Sequence, residues 1–244
     1  MRKTAVTVKD STEVLDQLSF FPDVSARRNL RSYRDMLIEG RAAAGLTSLS
    51  DPDEIERRHI GESLVLLEYL EARSLFASPA IDIGAGAGAP GLPIKIARPD
   101  LRLTLVEATA KKVAFLEKVV STLELSDVAV VNARAEDAAR DPAHRATYRL
   151  ALARAVAPLP ALVELSLPFL TIDGRLATPK GSRARDEIEA AEHALSECGG
   201  EVETIDSLSL PWEGAAPTIV IVRKVAGTPD RYPRRAGIPA KRPL

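Results

Sequence analysis

One acid is followed by four closely spaced glycines in one stretch of the chain, Ala80-Ile81-Asp82-Ile83-Gly84-Ala85-Gly86-Ala87-Gly88-Ala89-Pro90-Gly91. Glycines so spaced reach backbone conformations with positive φ and let a ligand lie against the main chain. A short apolar run leads into the loop and a helical pattern leaves it. The loop therefore offers the free N–H groups of a helix start to a carboxylate or phosphate. A second acid, Glu107, ends the next apolar run, where a carboxylate can hold ribose hydroxyls. Arg134-Ala135-Glu136-Asp137 follows the third run, at the edge where open α/β sheets bind ligands. Arg154 is a lone charge in Leu150-Ala151-Leu152-Ala153-Arg154-Ala155-Val156-Ala157. An unpaired buried charge is costly, so Arg154 must face a cleft or meet an acid. Lys180 closes the fifth run, as a cleft residue or simply a solvated one.

These positions need a scaffold, and the chain supplies a regular one. Short apolar runs at 80–83, 101–106, 128–131, 150–153, 175–178, 202–208 and 218–222 predict strands. Helical patterns at 91–98, 110–124, 159–170 and 183–198 lie between the earlier ones. Strand–helix alternation of this kind predicts a parallel, doubly wound sheet. No helix fits between the last two runs, so they predict an antiparallel hairpin bridged by Pro211-Trp212-Glu213-Gly214. The expected fold is α/β and Rossmann-like, a seven-stranded, mostly parallel sheet closing in that hairpin.

Residues 1–75 form a helical extension, 76–225 the sheet domain and 226–244 an irregular basic tail with four prolines. In the extension, Leu30, Tyr33, Met36 and Leu37 recur at helical spacing, with Arg27, Arg28, Arg31 and Arg34 on other faces. Ser50 is the expected N-cap of a second helix through Ile55, Ile60, Leu64, Leu67 and Leu70.

With 244 residues, 45% hydrophobic and 27% charged, the chain is globular and large enough to need no staples. The single cysteine, Cys198, excludes an intrachain disulfide. With only three scattered histidines, no metal site is expected. No apolar run approaches the ~20 residues of a membrane helix, and the first ten residues carry no secretory pattern. The expected compartment is the cytoplasm. The net charge of −1 argues against a simple basic nucleic-acid-binding protein. Yet Arg223–Leu244 holds seven basic residues and one acid, a net +6, which leaves −7 for residues 1–222.

Two ligand readings fit the glycine loop. Gly86-x-Gly88-x-x-Gly91 satisfies the dinucleotide fingerprint, with Glu107 about 20 residues on. Asp82-x-Gly84-x-Gly86-x-Gly88 instead resembles the first motif of class I S-adenosylmethionine-dependent methyltransferases. In that superfamily the first acid sits near the methionine end. Asp82 two residues before the first glycine, the acids Glu136 and Asp137 after the third strand, and the closing hairpin favour the methyltransferase.

More of the chain resembles one family, the bacterial small-subunit ribosomal RNA guanine-N7 methyltransferases, also called glucose-inhibited division protein B. The resemblance rests on Arg58-His59-Ile60-Gly61-Glu62-Ser63, Asp82 through Pro93, Leu105-Val106-Glu107, Lys111 through Leu116, Arg134-Ala135-Glu136, Ala153 through Ala157, Lys180-Gly181 and Arg231-Tyr232-Pro233-Arg234-Arg235. It implies S-adenosylmethionine as donor, with S-adenosylhomocysteine as product, and N7 of one guanine in 16S rRNA as acceptor. By position it implies cofactor contacts at Gly84, Ala89, Glu107, Ala135, Glu136 and Arg154, beside Asp82, Gly86 and Gly88 of the loop. The chain departs from the family at Glu39-Gly40 and Gly45-Leu46-Thr47, where Trp-Asn and Asn-Leu-Thr are usual, at Glu62, where Asp is usual, and at Ala153, where Ser is usual.

Guanine N7 carries an in-plane lone pair and no proton, so no general base is required. Alignment of N7 with the methyl group, about 3–3.5 Å away, can contribute ~7–11 kcal/mol. Arg154 is the expected catalytic residue, anchoring the cofactor carboxylate or hydrogen-bonding the guanine. His59 and Ser63 are expected mainly as packing, and His144 and His193 as surface residues. Partners are the small ribosomal subunit and no membrane, with a monomer as the default. The alternatives are a class I methyltransferase acting on another RNA, a protein or a small molecule, and a non-catalytic ribosome-assembly factor on the same fold.

Overall fold

The structure, a computed structural model, describes residues 23–49, 51–212 and 214–244. The apolar stripe of Leu30, Tyr33 and Leu37 folds as α1 (Val24–Ala44), with all three side chains buried. Asp23 caps its start by accepting the Ala26 amide at 2.8 Å, and Gly45 ends it in the left-handed conformation. Asp51 caps α2 (Pro52–Ile55), accepting the Asp53 and Glu54 amides at 2.8 and 3.0 Å. Ser50, the expected cap, lies outside the described residues, as does Glu213 of the hairpin turn. The helix expected to run on from Ile55 widens into a π-helical turn, Glu56–Gly61, and resumes as α3 (Glu62–Ala72). Single π turns inside α-helices occur often at functional sites.

The α/β part then runs β1 (Ala80–Ile83), α4 (Gly91–Ala97), β2 (Leu103–Glu107), α5 (Ala110–Thr122), β3 (Val128–Asn132), α6 (Ala135–Ala138) and β4 (Tyr148–Leu152). It continues with α7 (Leu159–Ser166), β5 (Leu170–Lys180), α8 (Ala184–Ala190), α9 (Glu192–Cys198), β6 (Gly200–Ser207) and β7 (Thr218–Lys224). The seven strands order as β3-β2-β1-β4-β5-β7-β6. The first five pair in parallel, and β7 lies antiparallel between β5 and β6. The expected sheet and hairpin are present.

Two boundaries differ from expectation. The helix expected over 159–170 stops at Ser166, because Pro168 cannot donate to a continuing ladder. The fifth strand therefore starts at Leu170 and is longer than the apolar run. The helix expected over 183–198 breaks at Ala191 into α8 and α9.

Alternate residues of each strand face opposite cores. Ala80, Leu103, Leu105, Leu150 and Leu152 pack with Tyr33, Leu37, Leu64 and Leu67 of the extension. Ile81, Ile83, Val106, Ala151 and Val220 pack with Leu162 and Val163 of α7 and Leu195 and Cys198 of α9. Burial on both faces is why these strands read as unbroken apolar runs.

The last segment carries one short helix, α10 (Ile238–Lys241), and otherwise follows turns. It lies against the second core, where Tyr232 is buried. Counting from the end of β7, four of the seven basic residues of 223–244 are engaged, and Arg235, Lys241 and Arg242 are exposed. Arg223 pairs with Glu201 at 2.6 Å, Arg231 with Glu197 at 2.6 Å and Arg234 with Glu164 at 2.6 Å, while the buried Lys224 donates to the Leu167 carbonyl. Among the described residues no helix is long and apolar enough to cross a membrane, and no group of three His, Cys, Asp or Glu could hold a metal ion.

Candidate cofactor site and cleft

Strand order reverses between β1 and β4, and the carboxyl ends of β1 to β4 meet at that switch point. Register puts Asp82 beside Leu105 and Leu152, and Glu107 beside Asn132. The predicted acids and glycines therefore share one sheet edge.

The glycine loop is tied at both ends. The Gly91 amide donates to Asp82 Oδ2 at 2.8 Å, and a Cβ at Gly91 would lie 2.7 Å from that oxygen. The bond thus requires glycine. Gly88 adopts φ 103°, where a Cβ would also meet Leu92 Cδ1 at 2.3 Å. Glu107 accepts the Gly86 amide at 3.0 Å and the Thr109 amide at 2.7 Å. A carboxylate has about four acceptor positions, so Glu107 retains capacity for hydroxyl donors. Asp82 is buried, and burial raises its carboxyl to about 7. The Gly91 amide and the Arg154 charge pull the other way, and the Glu107 charge adds to the rise.

Gly84 is exposed, Gly86 half-buried and Ala89 buried along the loop. Ala135 and the buried Glu136 open α6 beside it, and Glu136 Oε1 accepts the Gly237 amide at 2.7 Å. Sequence reasoning missed Tyr33, whose buried hydroxyl donates to the Ala87 carbonyl at 2.8 Å. That bond fastens the helical extension to the glycine loop. An aromatic residue in an apolar stripe gives no sign of such a role.

Arg154 lies just past β4 and reaches the π-helical turn. It donates to the Arg58 carbonyl, lies 3.4 Å from Glu62 Oε2 and donates to His59 Nδ1 at 3.3 Å. His59 Nε2 lies 3.2 Å from Thr47 Oγ1. Burial, and then the charges of Arg154 and Arg58, push the imidazole down to about 4. His59 is therefore neutral, accepting from Arg154 and donating to Thr47. It is more than the packing residue expected. The next residue, Ala155, has φ 55°, a left-handed conformation that a non-glycine adopts at a cost of ~1–3 kcal/mol. Lys180 is not free: its ammonium donates to the Ala157 carbonyl at 2.8 Å and pairs with Glu187 at 2.9 Å. A cleft of about 900 Å³ opens here, lined by His59, Glu62, Arg154, Val156, Lys180 and Arg183 among others. His144 also departs from expectation, being half-buried with Nδ1 2.7 Å from the Tyr148 hydroxyl.

A reversal-point loop closed by two acids on a sheet of this order defines the class I methyltransferase fold. Solved structures of that class superpose on it. They include a putative O-methyltransferase from Klebsiella pneumoniae, with TM-score 0.56 at 12% identity over 80% of this chain and 90% of that one. The magnesium protoporphyrin IX methyltransferase from Synechocystis with bound S-adenosylmethionine gives TM-score 0.55 at 13% identity over 80% and 97%. Within the class, the family of rRNA small subunit methyltransferase G matches residues 26–213. The "Ribosomal RNA small subunit methyltransferase G" of Chloroflexus aggregans is 48% identical over 214 residues, 87% of each chain. The chain belongs to that family.

Proposed function

We propose that the chain methylates N7 of one guanine in the 16S rRNA of the small ribosomal subunit, with S-adenosylmethionine as donor, as a cytoplasmic monomer. The observation that carries this reading is the glycine loop, tied by Asp82 and Glu107, in a chain of that family. The loop fits the donor. Its positive-φ glycines bare the main chain, and Glu107 keeps free acceptor positions. S-adenosylmethionine supplies a methyl group made electrophilic by its sulfonium.

Each residue then has a task in this reading. Asp82, Gly84, Gly86, Gly88 and Ala89 hold the amino-acid end. Glu107 holds the ribose, and Ala135 and Glu136 hold the base. Arg154 meets the donor carboxylate or the guanine at the cleft mouth. It is kept there by the π-helical turn, because His59 and the Arg58 carbonyl accept its hydrogen bonds. Guanine N7 bears no proton, so the neutral His59 is not needed as a base. The chain contributes orientation and exclusion of water. The extension, 1–75, would wall the cleft through its described residues 48–62, with 76–225 as the catalytic domain and 226–244 as its brace.

Small subunits purified from cells lacking this gene test the reading. With labelled donor, the chain should label subunit RNA at N7-methylguanosine. Binding of NAD in place of S-adenosylmethionine, or donor binding without transfer to any subunit RNA, would overturn it.

A further inference from the structure

Residues 226–244 carry five basic residues against one acid, yet Arg234 among them turns inward. Glu164 is fully buried, and Arg234 meets it with Nε at 3.0 and 3.1 Å, Nη2 at 2.6 Å and its own amide at 2.7 Å. The Arg234 guanidinium also donates to the Arg242 carbonyl at 2.7 Å, which folds the segment back on itself. From the body, Arg145 donates to the carbonyls of Thr228, Pro229 and Tyr232, and Arg140 to that of Pro233. The buried Tyr232 donates its hydroxyl to Glu197 at 2.7 Å. Three residues beyond the Arg234 clamp, the Gly237 amide donates to Glu136 Oε1 at 2.7 Å. Gly237 holds φ 80°, so the direction of that amide depends on glycine. A Cβ there would meet nothing within 4 Å.

We propose that residues 226–244 are a positioning strap for the cofactor's base. The Glu164–Arg234 clamp presents the Gly237 amide to Glu136. That bond commits one carboxylate oxygen and leaves the other aimed to accept the exocyclic amine of an adenine. This rests on the reading of Glu136 as a base contact. A carboxylate buried to this degree needs donors, and the strap supplies one before any ligand arrives. It also selects the ligand. A purine with a 6-amino group donates to the carboxylate, whereas a 6-oxo purine brings an oxygen against it. The strap is thus a positioning element for the donor.

Two full-length variants test it. Gly237→Ala keeps the clamp and disturbs only the amide. The double variant E164M/R234M removes the clamp without leaving an unpaired buried charge. Calorimetry would compare S-adenosylhomocysteine with S-inosylhomocysteine, and anisotropy would follow a small-subunit rRNA fragment at physiological salt. The wild type should prefer the adenine form. In both variants that preference should fall by about tenfold, the equivalent of one hydrogen bond, with RNA affinity within about twofold. An unchanged preference, or weaker RNA binding with cofactor discrimination intact, would overturn the strap. A wild type that binds neither nucleoside would overturn the cofactor reading itself, and one that binds both equally would overturn the role of Glu136.

Discussion

Asp82 accepts the Gly91 amide at 2.8 Å and so joins the end of strand β1 to the first turn of α4 across the glycine loop. The contact is too close for any side chain at position 91, since a Cβ would sit 2.7 Å from Asp82 Oδ2 and 3.0 Å from Leu105 Cδ2. Gly91→Ala should therefore push the loop off β1. Calorimetry should show donor affinity reduced at least about tenfold, with folding weakened by ~1–3 kcal/mol, as for other overpacked sites. Unchanged affinity would mean that the loop can move without cost.

Asp82 also predicts a pH dependence. Its carboxyl is raised from 3.8 to about 7, so the folded chain keeps a proton that the unfolded chain gives up. The Asp82 contribution to the stability of the ligand-free chain should fall as pH rises from about 4 to about 7, then level off. A cationic donor against the loop favours the ionised form. Its affinity should climb through about pH 7, with proton release on binding. His59, lowered from 6.5 to about 4 on folding, acts in the opposite sense over about pH 4 to 6.5 and offsets part of that loss of stability. The Asp82 share is therefore read as the difference between the wild type and Asp82→Asn. Calorimetry in buffers of different ionisation heat measures the release, and Asp82→Asn should abolish it. Binding with no proton exchange near neutrality would contradict the assignment.

Much of this was legible because it is local. Parallel strands buried on both faces become apolar runs, and an acid two residues before a glycine marks a loop that closes on itself. Asp82, Glu107 and Arg154, charges in or at the ends of such runs, come together at one edge of the sheet. Tyr33 with Ala87, His59 with Arg154 and Glu164 with Arg234 are separated by 54, 95 and 70 residues, and no periodicity records such pairs. The basic segment shows the same limit. Counting charges gives the sign of residues 223–244 but not their partners, so a braced segment reads as a free arm. Pro168 was visible in the sequence, yet only the sheet shows that the residues beyond it join β5.

Arg154→Ala should leave the fold intact, because its pair with Glu62, 18% and 22% exposed, is loose at 3.4 Å and water still reaches the carboxylate. Methyl transfer to purified subunits should fall at least about 100-fold, the scale of losing one charge-orienting donor. His59→Ala should lower kcat about tenfold with the donor KM unchanged, and His59→Gln should restore part of the loss. Equal turnover in Arg154→Ala would remove it from the site.

Arg234→Met should destabilise the chain by ~3–5 kcal/mol in urea unfolding, because it strands the buried Glu164. The double variant E164M/R234M should recover most of that. A small effect from Arg234→Met alone would show that the clamp is loose in solution.

Nucleoside mass spectrometry of small-subunit rRNA, from cells with and without this gene, tests the central claim most directly. The account predicts that one N7-methylguanosine disappears on deletion, returns with the wild-type gene and does not return with Arg154→Ala. Persistence of every N7-methylguanosine after deletion would contradict it.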